Sequence, residues 1–247
     1  MQNSQRIKSF FTDTGISVPA ITREQMREVD RIAIEETGPN LFQMMENAGH
    51  NLALLAMEVL GKDWQMAQIV VLAGTGGNGG GGICAARHLA NRHAKVRLCF
   101  TNPNRLGEVP NFQRKIFQST SGKEVQIQNL SDEPVDLIID ALIGYSLQAT
   151  PRGTALEFIA WANGTNAPTL SLDVPSGVDA TTGQSSGDYM HAEWTMTLAL
   201  PKTGLLPQKT GALFLADIGI PPGVYQKIGL QYVPPFGNRF RVPLSLP

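Results

Sequence analysis

The residues best suited to chemistry in this sequence lie in one short run, Gly74-Thr-Gly-Gly-Asn-Gly-Gly-Gly-Gly82. It follows the apolar segment Ile69 to Ala73 directly and leads into the helix-forming stretch Ile83 to Ala90. Such a loop exposes backbone N–H groups beside a helix N-terminus, and the missing side chains let a phosphate approach the main chain. The pattern Gly-x-Gly-x-x-Gly occurs twice, from Gly74 to Gly79 and from Gly77 to Gly82. It is cheap in a run this rich, so the weight rests on the order strand, loop, helix. Asn78 is the one long polar side chain inside the run, with a carbonyl that could ligate a cation and an amide that could hold a ligand. The bland alternative is a turn whose glycines only let the helix pack closely.

Two carboxylates join this loop by position. Asp140 closes the apolar run that begins at Leu137, and Asp173 closes the one that begins at Leu170. In an open parallel sheet the ligand crevice lies outside the carboxyl ends of the strands, so Asn78, Asp140 and Asp173 are expected on one edge. Either acid alone would serve equally well as a cap or turn residue. Other chemistries lack support. The second strand ends Phe100-Thr-Asn102, with no acid before Glu108 to hold a ribose as a dehydrogenase would, and no Gly-Lys-Ser/Thr closes a Walker loop. His50, His88, His93 and His191 show no metal-ligand spacing, and Ser176 lacks a nucleophile elbow. Lys202 follows a further strand and could reach a phosphate or sit as a solvated turn lysine. Cys84 and Cys99 lie in apolar segments, as reduced core thiols do.

The elements that must position these groups read as follows. Thr22 and Gln25 form a capping-box signature with Ile21 and Met26 as a staple, and Met26, Val29, Ile32 and Ala33 keep helical spacing up to Thr37-Gly38-Pro39. A second helix carries Met44, Met45, Ala48, Leu52, Leu55, Ala56 and Val59, with the Met pair as core filling, and ends at Gly61. Buried strands are expected at 69–73, 96–100, 125–127, 135–139, 169–172, 195–200 and 213–216. Helices are expected at 82–93, 109–118 and 154–163. This alternation implies an α/β fold, a parallel sheet with helices on both faces. Residues 1–20 read as a tail, 21–247 as one domain, and the Pro-rich end from Val233 as an irregular strap. The formal charge of −1 provides no overall field for nucleic acid or an anionic membrane, and no apolar run approaches the roughly 20 residues of a membrane span. A cytoplasmic protein is expected.

Five motifs in order give this chain a family resemblance: Thr22 to Asp30, Met45-Glu-Asn-Ala-Gly49, the glycine run, Asp140-Ala-Leu-Ile-Gly144 and Asp173-Val-Pro-Ser-Gly177. From Ile21 to about Gly229 the chain resembles the NAD(P)H-hydrate epimerase family, whose domain is of the YjeF N-terminal type. The resemblance implies a three-layer α/β/α Rossmann-like sandwich with a mostly parallel sheet, commonly a homodimer. It also implies an isomerase that interconverts the C6 epimers of hydrated NADH or NADPH, alongside a separate dehydratase.

Carried over by position, the resemblance implies a potassium ion held by Asn78, Asp140 and Ser176. It places substrate against Gly77, Asn78, Gly79, Gly80 and Gly81, against Gly144, Tyr145, Ser146, Leu147, Gln148, Ala149 and Thr150, and at Asp173. The glycines would take the pyrophosphate and the acids the ribose or ring hydroxyls. Asp140 is the first candidate to shuttle protons and Asp173 the second. The chain departs from the family pattern in three places. Gly77 to Gly81 stand where Asn-Asn-Gly-Gly-Asp is usual, Asn104 stands near a position that often carries Lys, and Ala149 replaces a glycine. These departures motivate an alternative reading as a non-catalytic nucleotide-binding module, as in the RNA-decapping scaffolds of the same fold.

Overall fold

Apolar strands alternating with amphipathic helices leave each strand two faces to bury, and the chain covers both. The computed structural model describes residues 9–130 and 134–246. In chain order the elements are β1 (Ser9–Thr12), β2 (Ser17–Pro19), α1 (Arg23–Ile32), α2 (Leu41–Leu60), β3 (Gln68–Ala73), α3 (Gly77–Ala90), β4 (Lys95–Phe100), α4 (Glu108–Phe117) and β5 (Lys123–Glu124). They continue with β6 (Leu137–Ala141), α5 (Thr154–Asn163), β7 (Thr169–Leu172), β8 (Trp194–Leu198), α6 (Pro207–Thr210), β9 (Ala212–Ala216), α7 (Pro222–Lys227) and β10 (Arg241–Ser245).

Among the described residues the strands form one sheet, ordered β2-β1-β10-β9-β8-β7-β6-β3-β4-β5. Pairing is parallel from β9 through to β5 and antiparallel where β10 joins β9, β1 joins β10 and β2 joins β1. Alternation along β3 shows how the layers arise. Ile69, Val71 and Ala73 face one core with α1, α2, α3 and α4, whereas Val70 and Leu72 face a second core with Phe158, Ile159 and Ala162 of α5. The α/β architecture with helices on both faces is as expected.

Local signals set the helix starts. Thr22 accepts from the Gln25 N–H at 3.2 Å while Gln25 Oε1 accepts from the Thr22 N–H at 2.9 Å, and Asn40 and Gln43 repeat this box at the head of α2. Both cysteines are buried and unpaired. No helix among the described residues is long and apolar enough to cross a membrane.

Three expectations need correction. The supposed tail forms the hairpin β1–β2 over residues 9–19, with Phe10 and Val18 buried, while residues 1–8 lie outside the described residues. The supposed strap contains β10, in which Val242 and Leu244 alternate inward around Pro243. Both segments are too short, or too interrupted by proline, to show a period in sequence. The strand expected at Val125 to Ile127 stops early: β5 is Lys123–Glu124, and Ile127–Asn129 turns as a 3-10 helix.

Candidate functional site

The glycine run is helical from Gly77 onward rather than a loop, and its glycines divide into two kinds. A Cβ at Gly79 would overlap the Gly74 carbonyl oxygen, one at Gly82 would overlap the Ala141 side chain, and one at Gly81 would stand 2.8 Å from Leu172 Cδ2. Those three are buried and let α3 lie directly on β3, β6 and β7. Gly80 has only slightly more room, 3.3 Å from Val109. Gly76 and Gly77 are different: nothing stands within 4 Å of a Cβ at Gly76, and only Met45 Sδ, at 3.9 Å, near one at Gly77. The open N-terminal turn is where an anion can reach the backbone.

That turn forms one end of a cavity of about 370 Å³. Of the residues expected to bind substrate, Gly77, Asn78, Gly144, Tyr145, Ser146 and Asp173 line it. Leu147, Gln148, Ala149 and Thr150 do not, as the chain turns away there and the Leu147 carbonyl accepts from Arg23 at 2.6 Å. Gly79, Gly80 and Gly81 lie behind the wall. Met26, Ile34, Leu41, Met44, Met45, Leu198 and Ile218 make an apolar side, so the Met pair serves both core and cavity.

Asp173 sits just past the end of β7 with φ +69°, a left-handed conformation that Asp tolerates better than most residues. Its Oδ2 accepts from the Tyr145 N–H at 2.8 Å and its Oδ1 from Lys202 Nζ at 2.5 Å. Lys202 is fully buried and also donates to the Leu198 carbonyl at 2.9 Å and to Thr197 Oγ1 at 3.3 Å. The turn reading of Lys202 is therefore wrong: three acceptors hold its ammonium beneath the cavity. A Cβ at Gly144 would lie 2.9 Å from Asp173 Oδ2 and 3.0 Å from Asn78 Oδ1, so glycine at that position lets the two side chains converge. Asn78 Nδ2 is buried without a hydrogen-bond partner, which leaves this amide to a ligand.

Asp140 does not reach the cavity. It is fully buried within β6, and its oxygens accept from the Leu142 N–H at 3.2 Å, the Ser176 N–H at 2.9 Å, Ser171 Oγ at 2.8 Å and Ser176 Oγ at 2.6 Å. Burial pushes its carboxyl up, and the hydrogen bonds from Ser176, Ser171 and Leu142 oppose that. Ser176 in turn accepts from the Ile143 N–H at 2.9 Å, so Asp140 and Ser176 brace the loop that carries Gly144 and Tyr145.

Asp30, a polar lining residue, escaped the sequence reading of the site, whereas Lys202 was read as able to reach a phosphate or to sit in a turn. Asp30 belongs to the motif at the head of the resemblance, and the signal was available: it stands one helical turn after Met26 on the face of α1 that turns inward. Its Oδ2 accepts from Tyr145 Oη at 2.5 Å.

Elsewhere, donor atoms of Glu46, Cys84 and His88 lie within 4.8 Å of one another. Arg87 donates to Glu46 at 2.5 Å there, and its guanidinium already supplies the cation. Burial acts to raise the Glu46 carboxyl, but hydrogen bonds from Gln113, Arg87 and His88 outweigh it and hold the group at about 2. This cluster joins α2 to α3 and is an ion-pair network.

The family model described as YjeF-related protein N-terminus matches residues 41–204. An NAD(P)H-hydrate epimerase of Dehalogenimonas lykanthroporepellens is 50% identical over 222 residues, 90% of this chain and 91% of the relative. Enhancer of mRNA-decapping protein 3 of Gallus gallus is 32% identical over 96% of this chain but only 47% of its own length. The crystal structure of a yeast protein, ynu0, superposes with a TM-score of 0.80 at 20% identity, over 91% of this chain and 99% of that one, and so shares the fold.

Proposed function

Because the chain belongs to the family of YjeF-related protein N-termini, we propose that it is an NAD(P)H-hydrate epimerase, an isomerase that interconverts the R and S forms of hydrated NADH and NADPH. The observation that carries the reading is the convergence of Gly77, Asn78, Tyr145 and Asp173 on one cavity with an apolar side. The hydrated nicotinamide is a largely apolar ring bearing one hydroxyl at C6, next to the ring nitrogen, and it hangs from a ribose and a pyrophosphate. An open helix N-terminus suits the pyrophosphate, Asn78 and Asp173 suit hydroxyls, and the Met-rich wall suits the ring. Inversion needs the hydroxyl to leave, or the ring to open, and then closure on the other face. No electrons change hands.

A potassium ion is part of this reading. Asn78, Asp140 and Ser176 all offer oxygen atoms, the chemistry that a hard monovalent cation takes. The four donors on Asp140 make it an anchor and a fixed negative charge rather than a proton shuttle. The bound cation would supply electrostatic stabilisation beside the substrate.

The decapping relatives keep open a non-catalytic module, and one assay separates the two readings. R-configured hydrated NADH is supplied with a dehydratase that consumes only the S epimer. The protein is expected to accelerate consumption above the spontaneous rate, with dependence on potassium. A rate that stays spontaneous across pH and potassium concentration refutes the epimerase.

A further inference from the structure

Epimerisation through loss of water needs a proton on the C6 hydroxyl as its bond to carbon breaks, and the three carboxylates of this region are not equally free to give one. Asp140 is shut away from the cavity with four donors on it. Asp173 is bound by Lys202 and by the Tyr145 N–H. Asp30 lines the cavity and, among the described residues, accepts one hydrogen bond, from Tyr145 Oη to its Oδ2.

Resting on the epimerase reading, we propose that Asp30, oriented by the Tyr145 hydroxyl, is the acid that protonates the departing C6 hydroxyl of the substrate. The carboxylic proton passes to the hydroxyl oxygen, the C6–O bond breaks, water leaves, and the ring-nitrogen lone pair closes a C6–N1 double bond to give a planar iminium ion. Water then adds to the opposite face of C6, the π pair returns to nitrogen, and the added water loses its proton to solvent, from which Asp30 is recharged. One proton enters and one leaves. An iminium ion is electrophilic enough to take up water without a strong base, so the acid is the group that the chemistry most needs.

The surroundings poise Asp30 for this duty. Burial pushes its carboxyl up, the Tyr145 hydrogen bond and the Lys202 charge oppose that, the Asp173 charge adds to it, and the carboxyl stands at about 6. Tyr225 of α7 faces the same carboxylate and is itself pushed up, first by burial. Tyr145 is pushed up by burial and by Asp30, so it remains a neutral donor. A carboxyl titrating near 6 keeps an appreciable protonated fraction at neutral pH and still gives its proton readily. By microscopic reversibility, both directions follow the protonated fraction of Asp30.

The test is the pH dependence of kcat/KM in the coupled assay, for the wild type, Asp30→Asn and Tyr145→Phe, with NADPH affinity measured by calorimetry. For the wild type, kcat/KM is expected to fall roughly tenfold per pH unit above about 6. Asp30→Asn is expected to lose about 10²-fold in turnover together with that limb, at unchanged affinity. Tyr145→Phe, which removes only the hydroxyl that lowers the carboxyl, is expected to move the limb to higher pH. Wild-type turnover with an unshifted limb in Asp30→Asn, or an unmoved limb in Tyr145→Phe, overturns the assignment while the epimerase stands. A wild-type protein no faster than the spontaneous reaction removes the epimerase reading and the assignment with it.

Discussion

Replacing Lys202 by Met keeps the apolar stem and removes only the ammonium. In the native state that ammonium donates to Asp173 Oδ1, the Leu198 carbonyl and Thr197 Oγ1, and the side chain is wholly buried. The variant leaves Asp173, itself 3% exposed, as a carboxylate whose counter-charge is gone. Breaking a buried pair from one side costs about 3–5 kcal/mol, far more than the pair is worth over a neutral replacement. For a chain of this size each kcal/mol shifts Tm by about 2–4 °C, so Lys202→Met should melt about 6–20 °C lower. The double variant Lys202→Met with Asp173→Asn removes both charges, and Asn tolerates the left-handed backbone of that position, so it should recover most of the loss. Urea unfolding at neutral pH measures both. If Lys202→Met stays within about 1 kcal/mol of wild type, or the second substitution deepens the loss instead of repairing it, the ion pair is not what holds Asp173.

Two further outcomes follow from the same geometry. Gly79→Val drives a branched side chain into the Gly74 backbone and should unfold or strongly destabilise the protein, whereas Gly77→Val points into open space and should leave the melting transition near wild type while weakening NADPH binding, as calorimetry will show; equal behaviour of the two would mean that the run is not divided as described. Asp140→Asn sets a side-chain amide among donors from Ser171, Ser176 and Leu142, so a stability loss of about 1–3 kcal/mol is expected, together with weaker potassium dependence of turnover; unchanged melting and an unchanged potassium response would strip Asp140 of both duties.

Much of this was legible in the sequence because the parallel sheet imposes its own logic. Apolar runs at the right intervals placed β3, β4, β6, β7, β8 and β9, and the rule that ligands gather outside the carboxyl ends brought Asn78 and Asp173 together across nearly a hundred residues. The same rule failed for Asp140 because two residues of offset decide the matter. Asp140 is still inside β6, paired in register with Leu72 and Ser171, while Asp173 is the first residue past β7. The glycines misled in a different way. The sequence shows that side chains are missing but not what fills the space, and at Gly79, Gly81 and Gly82 the occupant is the protein itself. Lys202 was ambiguous because only the fold brings Asp173, Thr197 and Leu198 around it.

The order of the strands carries a consequence for how the molecule is assembled. β10, the last strand of the sheet to be synthesised, lies between β9 and β1, where Phe11 pairs with Ser245 and Leu215 with Val242. The β1–β2 hairpin leaves the ribosome before any other part of the sheet, yet its seat exists only once β10 has been made and docked. Phe10 and Val18, both buried in the folded chain, therefore cannot be seated with the hairpin until β10 is in place. Closing a contact between segments this distant is slow and leaves apolar edges open meanwhile. A nascent chain stalled just short of Arg241 would hold a nearly complete cavity and an unsatisfied sheet edge at β9 at the same time, so formation of the cavity would precede protection from aggregation.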